Sequence, residues 1–406
     1  MSKRVVITGL GIITPIGIGK DIFWEALING KSGIKKVKSF DTSSYRSSLG
    51  GEVDDYNPED FLSKEEIDPL DRSSQFIIST TIMALKDAQL KIDEFESERV
   101  SVIIGTTTAT QSSFKNYHDA WVLKGYDSIT LESVSKYGHE SIHNIISNKY
   151  KLTGASVLML NACAAGTYAI GQSYDLIKSG KADIVISGGT DAMSELAFCG
   201  FSNTRSLAKE ACRPFDKNRD GLVVSEGAAT LILESYENAI SRCAHIYGEV
   251  IGYGLSCDAN HMTAPDISGE GASLSINNAL FDAQLNIDEI DYINAHGTGT
   301  SLNDLMETVA IKKVFGKKAY DIPISSIKSM IGHSFGASGA IEALTCALVL
   351  ENGVIPPTIN YNEPDPECDL NYVPNKSITK DVNVTLSNSY AFGGNNASII
   401  IGKCKN

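Results

Sequence analysis

The stretch Ser156-Val-Leu-Met-Leu-Asn-Ala-Cys163-Ala-Ala-Gly166-Thr-Tyr-Ala-Ile170 decides the fold of this chain. An apolar run typical of a buried strand ends at Asn161-Ala162, and the small residues Ala164-Ala165-Gly166 open a helix. Cys163 therefore lies where a strand turns into a helix. Backbone N–H groups at a helix start carry partial positive charge, so we expect this position to favour the thiolate over the thiol.

The sequence on either side of this stretch alternates between strand and helix patterns. Predicted strands cover Val5–Thr8, Val100–Gly105, Val157–Leu160, Asp183–Ser187, Gly248–Leu255, Asp291–Ala295 and Ile322–Ile327. Predicted helices cover Gln75–Ala88, Ala164 to about Ser179 with Gly180 as its stop, Glu270–Asp282, about Asn303 to Phe315, and Ala337–Leu350. A final hairpin pairs Asp381–Ser387 with Ala397–Gly402. Both halves place strands ahead of chemically suggestive loops, which predicts a duplicated α/β fold divided near residue 250, into 1–250 and 251–406.

Two histidines downstream stand in Gly-rich surroundings. His296 lies in Asn294-Ala-His-Gly-Thr-Gly-Thr300, and His333 lies in Lys328-Ser-Met-Ile-Gly-His-Ser-Phe-Gly-Ala-Ser-Gly339. One activated cysteine with two histidines indicates covalent acyl transfer. Taken singly, each histidine is equally compatible with a hydrogen-bonded core residue, and Cys163 with a buried structural cysteine.

Composition bounds the class of protein and its partners. The 406 residues are 42% hydrophobic, which is enough for a large core or two fused half-domains. A formal net charge of −14 argues against a nucleic-acid partner, and an acidic protein partner would need a local basic patch. No apolar run reaches the roughly 20 residues of a membrane span, and the start of the chain enters a strand without a signal-peptide pattern. The eight cysteines form no C-x-x-C pair, so we predict neither a zinc site nor an iron–sulfur site. Cysteines scattered through a chain of this length are expected to be reduced, which predicts a cytoplasmic protein.

One motif near the start of the chain imitates a dinucleotide-binding fingerprint. Thr8-Gly9-Leu-Gly11-Ile-Ile-Thr14-Pro15 follows a strand, but Thr14 stands where Gly or Ala is required. No acidic residue ends a strand at the expected distance. We therefore predict a turn that packs the first strand.

Ordered motifs along nearly the whole chain match one family. They are Val5-Val-Ile-Thr-Gly-Leu-Gly-Ile-Ile-Thr-Pro15, Arg213-Pro-Phe-Asp216-Lys-Asn-Arg219-Asp-Gly221, His261-Met-Thr-Ala-Pro265, Val354-Ile-Pro-Pro-Thr-Ile-Asn360 and Asn388-Ser-Tyr-Ala-Phe392-Gly-Gly-Asn395, with the Cys163, His296 and His333 stretches. With them the chain resembles the β-ketoacyl-acyl carrier protein synthases of the elongating, thiolase-fold type. The resemblance implies a thiolase-like fold, with duplicated halves stacked as α-β-α-β-α layers.

The resemblance also implies a division of chemical work. Cys163 takes the acyl chain as a thioester, while His296 and His333 bind the malonyl thioester carbonyl and promote loss of CO₂. The carbanion then attacks the acyl-cysteine. Two neutral imidazole N–H donors suit an enolate oxygen that becomes negative. The backbone N–H groups of Cys163 and Phe392 are expected to form the oxyanion hole.

Further matches place side chains around this centre. Lys328 and Glu342 are expected to pair and to position the site, although a purely structural ion pair fits the same residues. Thr298 and Thr300 are expected to contact the phosphopantetheine arm, and Phe392 is expected to gate the site beside the cysteine. Phe201 is expected to line the acyl pocket, and Arg205 is expected to take part in carrier docking.

Expectations about cofactors and partners follow from the same resemblance. The enzyme needs no organic cofactor, since the phosphopantetheine arm arrives on the acyl carrier protein. The active-site tunnel of the family is completed across a dimer interface, so we expect a homodimer or a heterodimer. Some members hold a monovalent cation at the positions of Asn294, Ala295, Glu342 and Asn388; a hydrogen-bond cluster would look identical, and we predict no metal. His118, His139, His143, His245 and His261 stand in no comparable motif and are interpreted as surface or core residues.

The sequence departs from the family pattern in four places. Ala164-Ala165 follows Cys163 where hydroxyl residues are usual. In the gating loop Ala391 replaces Gly, which would restrict the backbone of the loop, and Asn395-Asn396 replaces Thr-Asn. The segment Ser63–Asp71 is acidic where the fatty-acid enzymes are commonly basic, and so is the stretch near Asp127, Glu132 and Glu140. The two acidic stretches weaken the usual carrier-docking surface.

Five functions remain to be weighed. The departures favour a type II polyketide ketosynthase of aryl-polyene-like kind, paired with a chain-length-factor-like subunit, over housekeeping fatty-acid elongation, and both stay open. A degradative thiolase needs a second catalytic cysteine in the C-terminal Gly-rich loop, and Ala391–Asn396 contains none. An initiating synthase or chalcone-type enzyme would pair Cys with His and Asn, which the setting of His333 argues against. A non-catalytic chain-length-factor-like subunit typically lacks the nucleophile, so Cys163 opposes it.

Overall fold

Eleven of the described strands of this protein join into one large mixed sheet. The computed structural model of the chain describes residues 2–130 and 141–405, apart from the side chains of residues 112–114, 116 and 141. The strands in this part are β1 (Val5–Thr14), β2 (Gly17–Ile18), β3 (Lys35–Lys36), β4 (Leu49–Gly50), β5 (Val100–Gly105), β6 (Ser156–Met159), β7 (Ile184–Asp191), β8 (Gly227–Ser235), β9 (Gly248–Cys257), β10 (Tyr292–Asn294), β11 (Ile324–Ser325), β12 (Val354–Ile355), β13 (Ile378–Thr379), β14 (Val384–Ala391) and β15 (Asn395–Gly402).

Helices alternate with these strands along most of the chain. Within the described ranges they are α1 (Lys20–Ile28), α2 (Lys64–Ile67), α3 (Arg72–Asp87), α4 (Gln111–Lys124), α5 (Ser141–Lys149), α6 (Ala165–Lys178), α7 (Glu195–Asn203), α8 (Tyr236–Ser241), α9 (Glu270–Ala283), α10 (Ser301–Phe315), α11 (Lys328–Ile331) and α12 (Ser338–Asn352). None of these helices has the length and apolar character that crossing a membrane requires.

The strand order of the main sheet shows an internal duplication. The order is β11-β10-β14-β15-β9 followed by β1-β8-β7-β5-β6. In each set of five, the two outer neighbours pair in parallel (β10 with β11 and β14; β5 with β6 and β7), and the remaining pairs are antiparallel. The two sets meet where β1 pairs with β9 over Val5–Ile7. The predicted duplicated α/β fold is confirmed.

Three hydrophobic clusters reveal the layers. One face of both five-strand sets shares a cluster with the central helices α6 and α12, which contact each other. The opposite face of the first set packs with α3 and α5, and the opposite face of the second set packs with α9 and α10. Helix, sheet, helix, sheet and helix therefore follow one another, which is the expected α-β-α-β-α stacking. The strand β9 spans residue 250, and the division of the chain there stays a prediction.

The imitation of a nucleotide fingerprint has a packing explanation. The strand β1 runs through to Thr14, so the predicted turn after Thr8 was wrong. A Cβ on Gly9 would lie 2.3 Å from the Ala84 carbonyl oxygen, and one on Gly11 would lie 1.9 Å from that of Thr80. These glycines let the backbone of α3 approach the strand, which explains the G-x-G spacing.

Other predicted boundaries moved by a few residues. Helix α3 begins at Arg72 rather than Gln75, because Asp71 caps it by accepting a hydrogen bond from Ser74 N over 3.0 Å. Strand pairing in the final hairpin continues to Ala391 and Asn395, so the connecting loop is shorter than predicted. Gly180, with φ of 74°, follows the end of α6 as predicted.

Candidate active site

Cys163 occupies the tight turn between β6 and α6. The preceding residue, Ala162, has a left-handed φ of 47°, which is uncommon for a residue with a side chain. Gly166 lets this turn press against the second half of the protein, since a Cβ there would lie 2.7 Å from the Gly336 carbonyl oxygen. The cysteine is buried as a result, and it reaches the wall of a cavity rather than the outer surface.

That cavity gathers most of the residues selected from the sequence. It has a volume of about 320 Å³. The selected residues that line it are Cys163, His296, His333, Thr298, Thr300, Phe201, Arg205 and Phe392. They come from both halves of the chain, so only the assembled fold creates the site. Lys328 and Glu342 do not line the cavity and lie behind it.

The two histidines face each other at right angles. Their ring centroids are 5.4 Å apart and their planes meet at 87°. His296 follows the short strand β10, and His333 follows α11. His333 is held by its backbone, which donates to Val223 O over 2.7 Å and accepts from Ser225 N over 3.0 Å. Two fixed imidazoles can therefore direct hydrogen-bond donors at one small group of atoms.

Lys328 and Glu342 form a buried ion pair next to His296. Each side chain is only 1% exposed, and Lys328 Nζ contacts Glu342 Oε1. The same Nζ lies 3.5 Å from His296 Nδ1. An ammonium group can only donate, so His296 Nδ1 accepts and the proton of the neutral ring resides on Nε2. Lys328 is thus placed to fix the tautomer of His296, which the sequence expectation of a positioning pair requires.

Burial sets the charge of these groups. Burial and the Lys328 ammonium hold the pKa values of His296 and His333 well below the usual range of histidine. Both rings are therefore neutral near pH 7, as hydrogen-bond donors to an enolate should be. Burial raises the pKa of Glu342 to about 7 against the opposing effect of Lys328.

The thiol of Cys163 behaves differently from the sequence expectation. Burial raises its pKa to about 12, and Asp191 and Glu342 act in the same direction. Lys328 and a hydrogen bond from the Cys163 backbone act in the opposite direction but are outweighed. The expectation of a favoured thiolate was therefore wrong, because the cost of desolvating the charge exceeds the stabilisation from Lys328 and the backbone hydrogen bond. Cys163 rests as a thiol.

Two buried carboxylates that the sequence analysis missed hold the loop of His296. Glu307 accepts hydrogen bonds from the backbone N–H groups of His296 over 2.9 Å and Gly297 over 2.8 Å. Asp304 accepts from Gly299 N over 3.2 Å and Phe215 N over 2.8 Å. Burial raises the pKa of Glu307 to about 8. Asp304 and Glu307 share the buried face of α10 with Ile311, and acidic residues in register with a buried apolar residue were a readable signal of this role.

A third missed carboxylate, Asp191, lies at the end of β7. It is fully buried and accepts hydrogen bonds of 2.7 Å from the Thr106 hydroxyl, from the backbone and the hydroxyl of Thr108, and from Gly336 N. These donors compensate for the burial of a charge. The hydrogen bond from Gly336 N fixes the backbone next to Phe335, which has a left-handed conformation with φ of 51°. Nothing in the short sequence motif around Asp191 indicated this.

The rim of the cavity carries the residues expected to meet the carrier arm. The hydroxyls of Thr298 and Thr300 lie 2.9 Å apart. Arg205 is exposed at the mouth, with its backbone carbonyl 3.4 Å from an Arg46 nitrogen that donates to it. His261, interpreted from sequence as a surface or core residue, is exposed and lines the same mouth, where its Nδ1 accepts from Thr263 N over 3.1 Å.

Phe392 sits in the turn between β14 and β15 and is 39% exposed. Its ring centroid is 5.4 Å from that of Phe201, which stacks in turn on Phe335 at 5.6 Å. Gly393, with φ of 83°, donates its N–H to Met262 O over 2.8 Å. Ala391 has φ of −125° and ψ of 156°, an extended conformation open to any residue, so its side chain causes no strain in this arrangement.

Two residues at which the resemblance suggests a cation, Asn294 and Glu342, have buried oxygen atoms without partners in the described part of the chain. Among the described residues, Asn294 Oδ1, Glu342 Oε2 and Ser387 Oγ have no hydrogen-bond partner. Asn294 and Ser387 are neighbours across β10 and β14. Asn388, in contrast, accepts from Ser398 Oγ over 2.9 Å. Oxygen ligands of this kind fit a monovalent cation, which would add positive charge beside the ion pair of Lys328 and leave the reacting atoms to the histidines.

Some of the acidic residues that were predicted to weaken carrier docking lie within the described part of the chain. In the described part, Glu66 pairs with Lys149, and Ser63 N donates to Glu66 as part of the cap of α2. Asp127 is exposed. Glu132, His139 and Glu140, which the sequence analysis also named, lie outside the described residues.

Comparisons with known proteins agree with this geometry. The family described as "Beta-ketoacyl synthase, N-terminal domain" matches residues 2–239, and "Beta-ketoacyl synthase, C-terminal domain" matches residues 247–362. The chain is 41% identical to 3-oxoacyl-[acyl-carrier-protein] synthase 2 of Synechocystis sp., over 99% of this chain and 98% of that protein. It is 40% identical to the enzyme of the same name from Staphylococcus aureus, over 99% of both chains.

Solved structures point the same way. The ishigamide ketosynthase/chain length factor matches with a TM-score of 0.96 and 37% identity over 100% of both chains. A type II polyketide ketosynthase, solved with its acyl-carrier protein, matches with a TM-score of 0.93 and 34% identity, again over 100% of both chains. A ketosynthase in complex with its chain length factor from Xenorhabdus doucetiae matches with a TM-score of 0.87 and 27% identity, over 99% of this chain and 98% of that one.

Proposed function

The chain belongs to the β-ketoacyl synthase family, as a β-ketoacyl-acyl carrier protein synthase of fatty-acid or polyketide elongation, and we propose that it is the catalytic ketosynthase of a type II polyketide pathway of aryl-polyene-like kind. The observation that carries the catalytic part is the meeting of Cys163 with two neutral, perpendicular imidazoles on one buried cavity. A non-catalytic chain-length-factor-like subunit would have no use for that arrangement.

The first half-reaction transfers the acyl group to Cys163. Its sulfur forms a bond to the thioester carbonyl carbon, the bond from that carbon to the pantetheine sulfur breaks, and the thiol proton passes to the departing sulfur. A resting thiol suits this exchange, because a proton is needed on the leaving group. The backbone N–H groups of Cys163 and Phe392 stabilise the oxyanion in between.

The second half-reaction uses the two histidines. Malonyl thioester loses CO₂ as its carbon–carbon bond breaks, and the electron pair forms an enolate whose oxygen accepts hydrogen bonds from His296 and His333. The enolate carbon then bonds to the acyl carbonyl carbon, the bond to Cys163 Sγ breaks, and the thiolate released takes up a proton from solvent water. Neutral donors suit this step, since burial keeps both rings uncharged.

The other side chains support these steps. Lys328, paired with Glu342, fixes the tautomer of His296 through its contact with Nδ1. Thr298 and Thr300 contact the phosphopantetheine arm, Phe392 gates the cavity, Phe201 lines the acyl pocket, and Arg205 meets the carrier protein. The arm arrives on the acyl carrier protein, so the enzyme has no organic cofactor of its own.

The proposal includes a second chain of the same fold. The strand β6 stands at one edge of the main sheet and is only half-buried, with Leu160 after it 58% exposed. Helix α4 and the turn after it expose Trp121, Val122, Leu123 and Tyr126. An open sheet edge and exposed apolar side chains are both types of surface that symmetric or near-symmetric dimers cover. Both similar ketosynthases named with chain length factors favour a ketosynthase-like partner.

Housekeeping fatty-acid elongation by a homodimer is the second candidate. The identity of 41% to 3-oxoacyl-[acyl-carrier-protein] synthase 2 favours it. For both candidates we propose a cytoplasmic enzyme, in keeping with eight free cysteines.

A condensation assay separates the two candidates. The chain is incubated with malonyl-carrier and with saturated, polyenoyl or aryl acyl-carriers, alone and with any co-encoded ketosynthase-like subunit. Product from polyenoyl or aryl carriers, or only with the partner present, supports the polyketide assignment. Efficient elongation of saturated chains by this protein alone replaces it with fatty-acid elongation.

A further inference from the structure

His261 is an exposed histidine whose ring is held in place by its own loop. Its Nδ1 accepts hydrogen bonds from the backbone N–H groups of Thr263 and Ala264, both over 3.1 Å. The carbonyl of the next residue, Met262, accepts from Gly393 N over 2.8 Å, which ties the loop to the turn between β14 and β15. The imidazole is therefore oriented at a position where an unbonded side chain would sample several rotamers.

The same contacts determine which nitrogen of His261 carries the proton. A nitrogen that accepts two N–H groups has no hydrogen of its own, so the proton of the neutral ring resides on Nε2. Nε2 lies across the ring from Nδ1 and faces away from the two backbone groups that hold it. Within the described part of the chain, nothing bonds to Nε2. His261 thus has an accessible, oriented N–H donor.

The cavity that His261 lines has a distinct inner and outer end. Cys163 and His296 are 6% and 2% exposed, and Thr298 is 5% exposed. Thr300 is half-buried, and His261 is exposed. The lining side chains therefore run from the reacting atoms out to solvent, with His261 at the mouth.

A phosphopantetheine arm that enters this cavity has a fixed order of groups. Its sulfur, which carries the thioester, must reach Cys163, and Thr298 and Thr300 are assigned to the pantetheine chain that follows. The phosphate is at the other end of the arm, where the arm joins the carrier protein. The group of the arm that comes nearest to His261 at the mouth is therefore its phosphate.

The charges at the mouth are compatible with an anion. Arg205 also lines the mouth, and its guanidinium forms no ion pair with a described residue. Two carboxylates line the same cavity, and both have partners within the protein. Asp258 accepts from Asn396 Nδ2 over 2.7 Å. Asp220 lies 4.0 Å from the guanidinium of Arg46. A phosphate here would supply acceptor oxygens to side-chain donors that lack them.

We propose that His261 binds the phosphate of the phosphopantetheine arm, with its Nε2–H donating a hydrogen bond to a phosphate oxygen at the mouth of the cavity. The inference rests on the proposed condensing function. A hydrogen bond to a charged acceptor is stronger than one between neutral groups, so this contact anchors the outer end of the arm while the inner residues orient the thioester. Since acyl and malonyl groups arrive on the same kind of arm, the contact serves both half-reactions.

The variant His261→Asn removes the outer donor, while its Oδ1 can replace Nδ1 as the acceptor for the loop. The test compares malonyl-phosphopantetheine with malonyl-pantetheine, which lacks only the phosphate. The KM for decarboxylation of the phosphorylated compound should rise about threefold to tenfold, the range of one hydrogen bond, with kcat unchanged. The KM for malonyl-pantetheine should not change. Acylation of Cys163 by acyl-phosphopantetheine should show the same rise in KM.

Two further variants are the controls. His245 is exposed, its Nε2 lies 2.9 Å from Glu351 Oε1, and it does not line the cavity, so His245→Asn should leave both KM values unchanged. In His261→Gln the longer amide reaches the position of Nε2 and can donate there. This variant should therefore keep part of the preference for the phosphorylated compound.

The outcomes separate this inference from the proposed function. An unchanged KM for malonyl-phosphopantetheine in His261→Asn, or an equal rise for both compounds, would overturn the phosphate contact while the condensing function stands. A wild-type protein that neither takes an acyl group nor decarboxylates malonyl thioesters would instead overturn the function. In that case calorimetric binding of phosphopantetheine still tests His261: weaker binding to His261→Asn than to wild type supports the contact, and equal binding removes it.

Discussion

At the scale of single residues, the site is governed by burial more than by local backbone charge. The same desolvation that keeps His296 and His333 neutral also keeps Cys163 protonated. Neutral donors and a neutral nucleophile are consistent with each other, because acyl exchange moves one proton from the cysteine to the leaving sulfur. A cysteine that was already a thiolate in the free enzyme would have no proton to donate to the leaving sulfur.

The first prediction concerns the reactivity of Cys163 in the free enzyme. With a thiol pKa of about 12, its alkylation by iodoacetamide should rise about tenfold per pH unit from pH 7 and still be rising at pH 9.5. The rate is measured by intact mass, with Cys163→Ala as the blank for the other cysteines. A plateau reached near pH 7 would show that the cysteine rests as a thiolate.

The second prediction concerns the buried pair of Lys328 and Glu342. Lys328→Met leaves a buried carboxylate without its cation, which should lower the free energy of unfolding by about 3–5 kcal/mol. The double variant Lys328→Met/Glu342→Leu should recover much of that stability, since apolar residues then replace both charges.

Activity distinguishes positioning from structure in these variants. Malonyl decarboxylation should stay low in the double variant, because His296 Nδ1 has lost its donor. Urea unfolding and decarboxylation are measured on both. Recovery of activity together with stability would reduce Lys328 to a structural ion pair.

The sequence carried part of this site and not the rest. The residues inside recognisable motifs, such as Cys163, His296 and His333, were found because their neighbours are distinctive and their order along the chain matches a family. Asp191 was not found, because its importance arises from contacts with segments more than 80 residues away. A short motif contains no information about such partners.

At the scale of elements, glycines decide how closely helices approach the sheet. Gly11→Ala should lower the free energy of unfolding by about 3 kcal/mol, because its Cβ would lie 1.9 Å from the Thr80 carbonyl oxygen of α3 and the helix must move. Gly200→Ala on α7 is the control: no atom lies within 4 Å of the added Cβ, and alanine favours the helix by up to about 1 kcal/mol. Urea unfolding of both tests this, and equal stabilities would contradict it.

Long, regular elements were predictable from periodicity, and short ones were not. Strand β5 was placed at its observed ends because six buried apolar or small residues stand between clear breaks. Strand β11 shrank to two residues, since Ser326 and Ile327 leave the strand to begin the turn into α11. Strand β1 was cut short at Thr8 because the glycines that admit α3 look, in sequence, like a turn.

At the scale of the whole molecule, the duplicated halves bring Cys163 and the two histidines together. We expect this chain to form a dimer with a partner subunit of the same fold. Leu123→Glu on α4 should shift the protein from dimer to monomer in light scattering, because it places a charge in the proposed apolar interface. Phe281→Glu on α9, a site 87% exposed, is the control and should leave the dimer intact. Equal behaviour of the two variants would contradict the placement of the interface.

The most direct test of the account is intact mass spectrometry of the protein after incubation with acyl-carrier thioesters, with the partner subunit added where one is co-encoded. We predict a mass increase of one acyl group, located on Cys163 by peptide mapping, and its absence in Cys163→Ala. Malonyl-carrier added next should remove the acyl group and release a β-ketoacyl-carrier. No adduct with any carrier thioester, or an adduct that persists in Cys163→Ala, would contradict the covalent condensing mechanism.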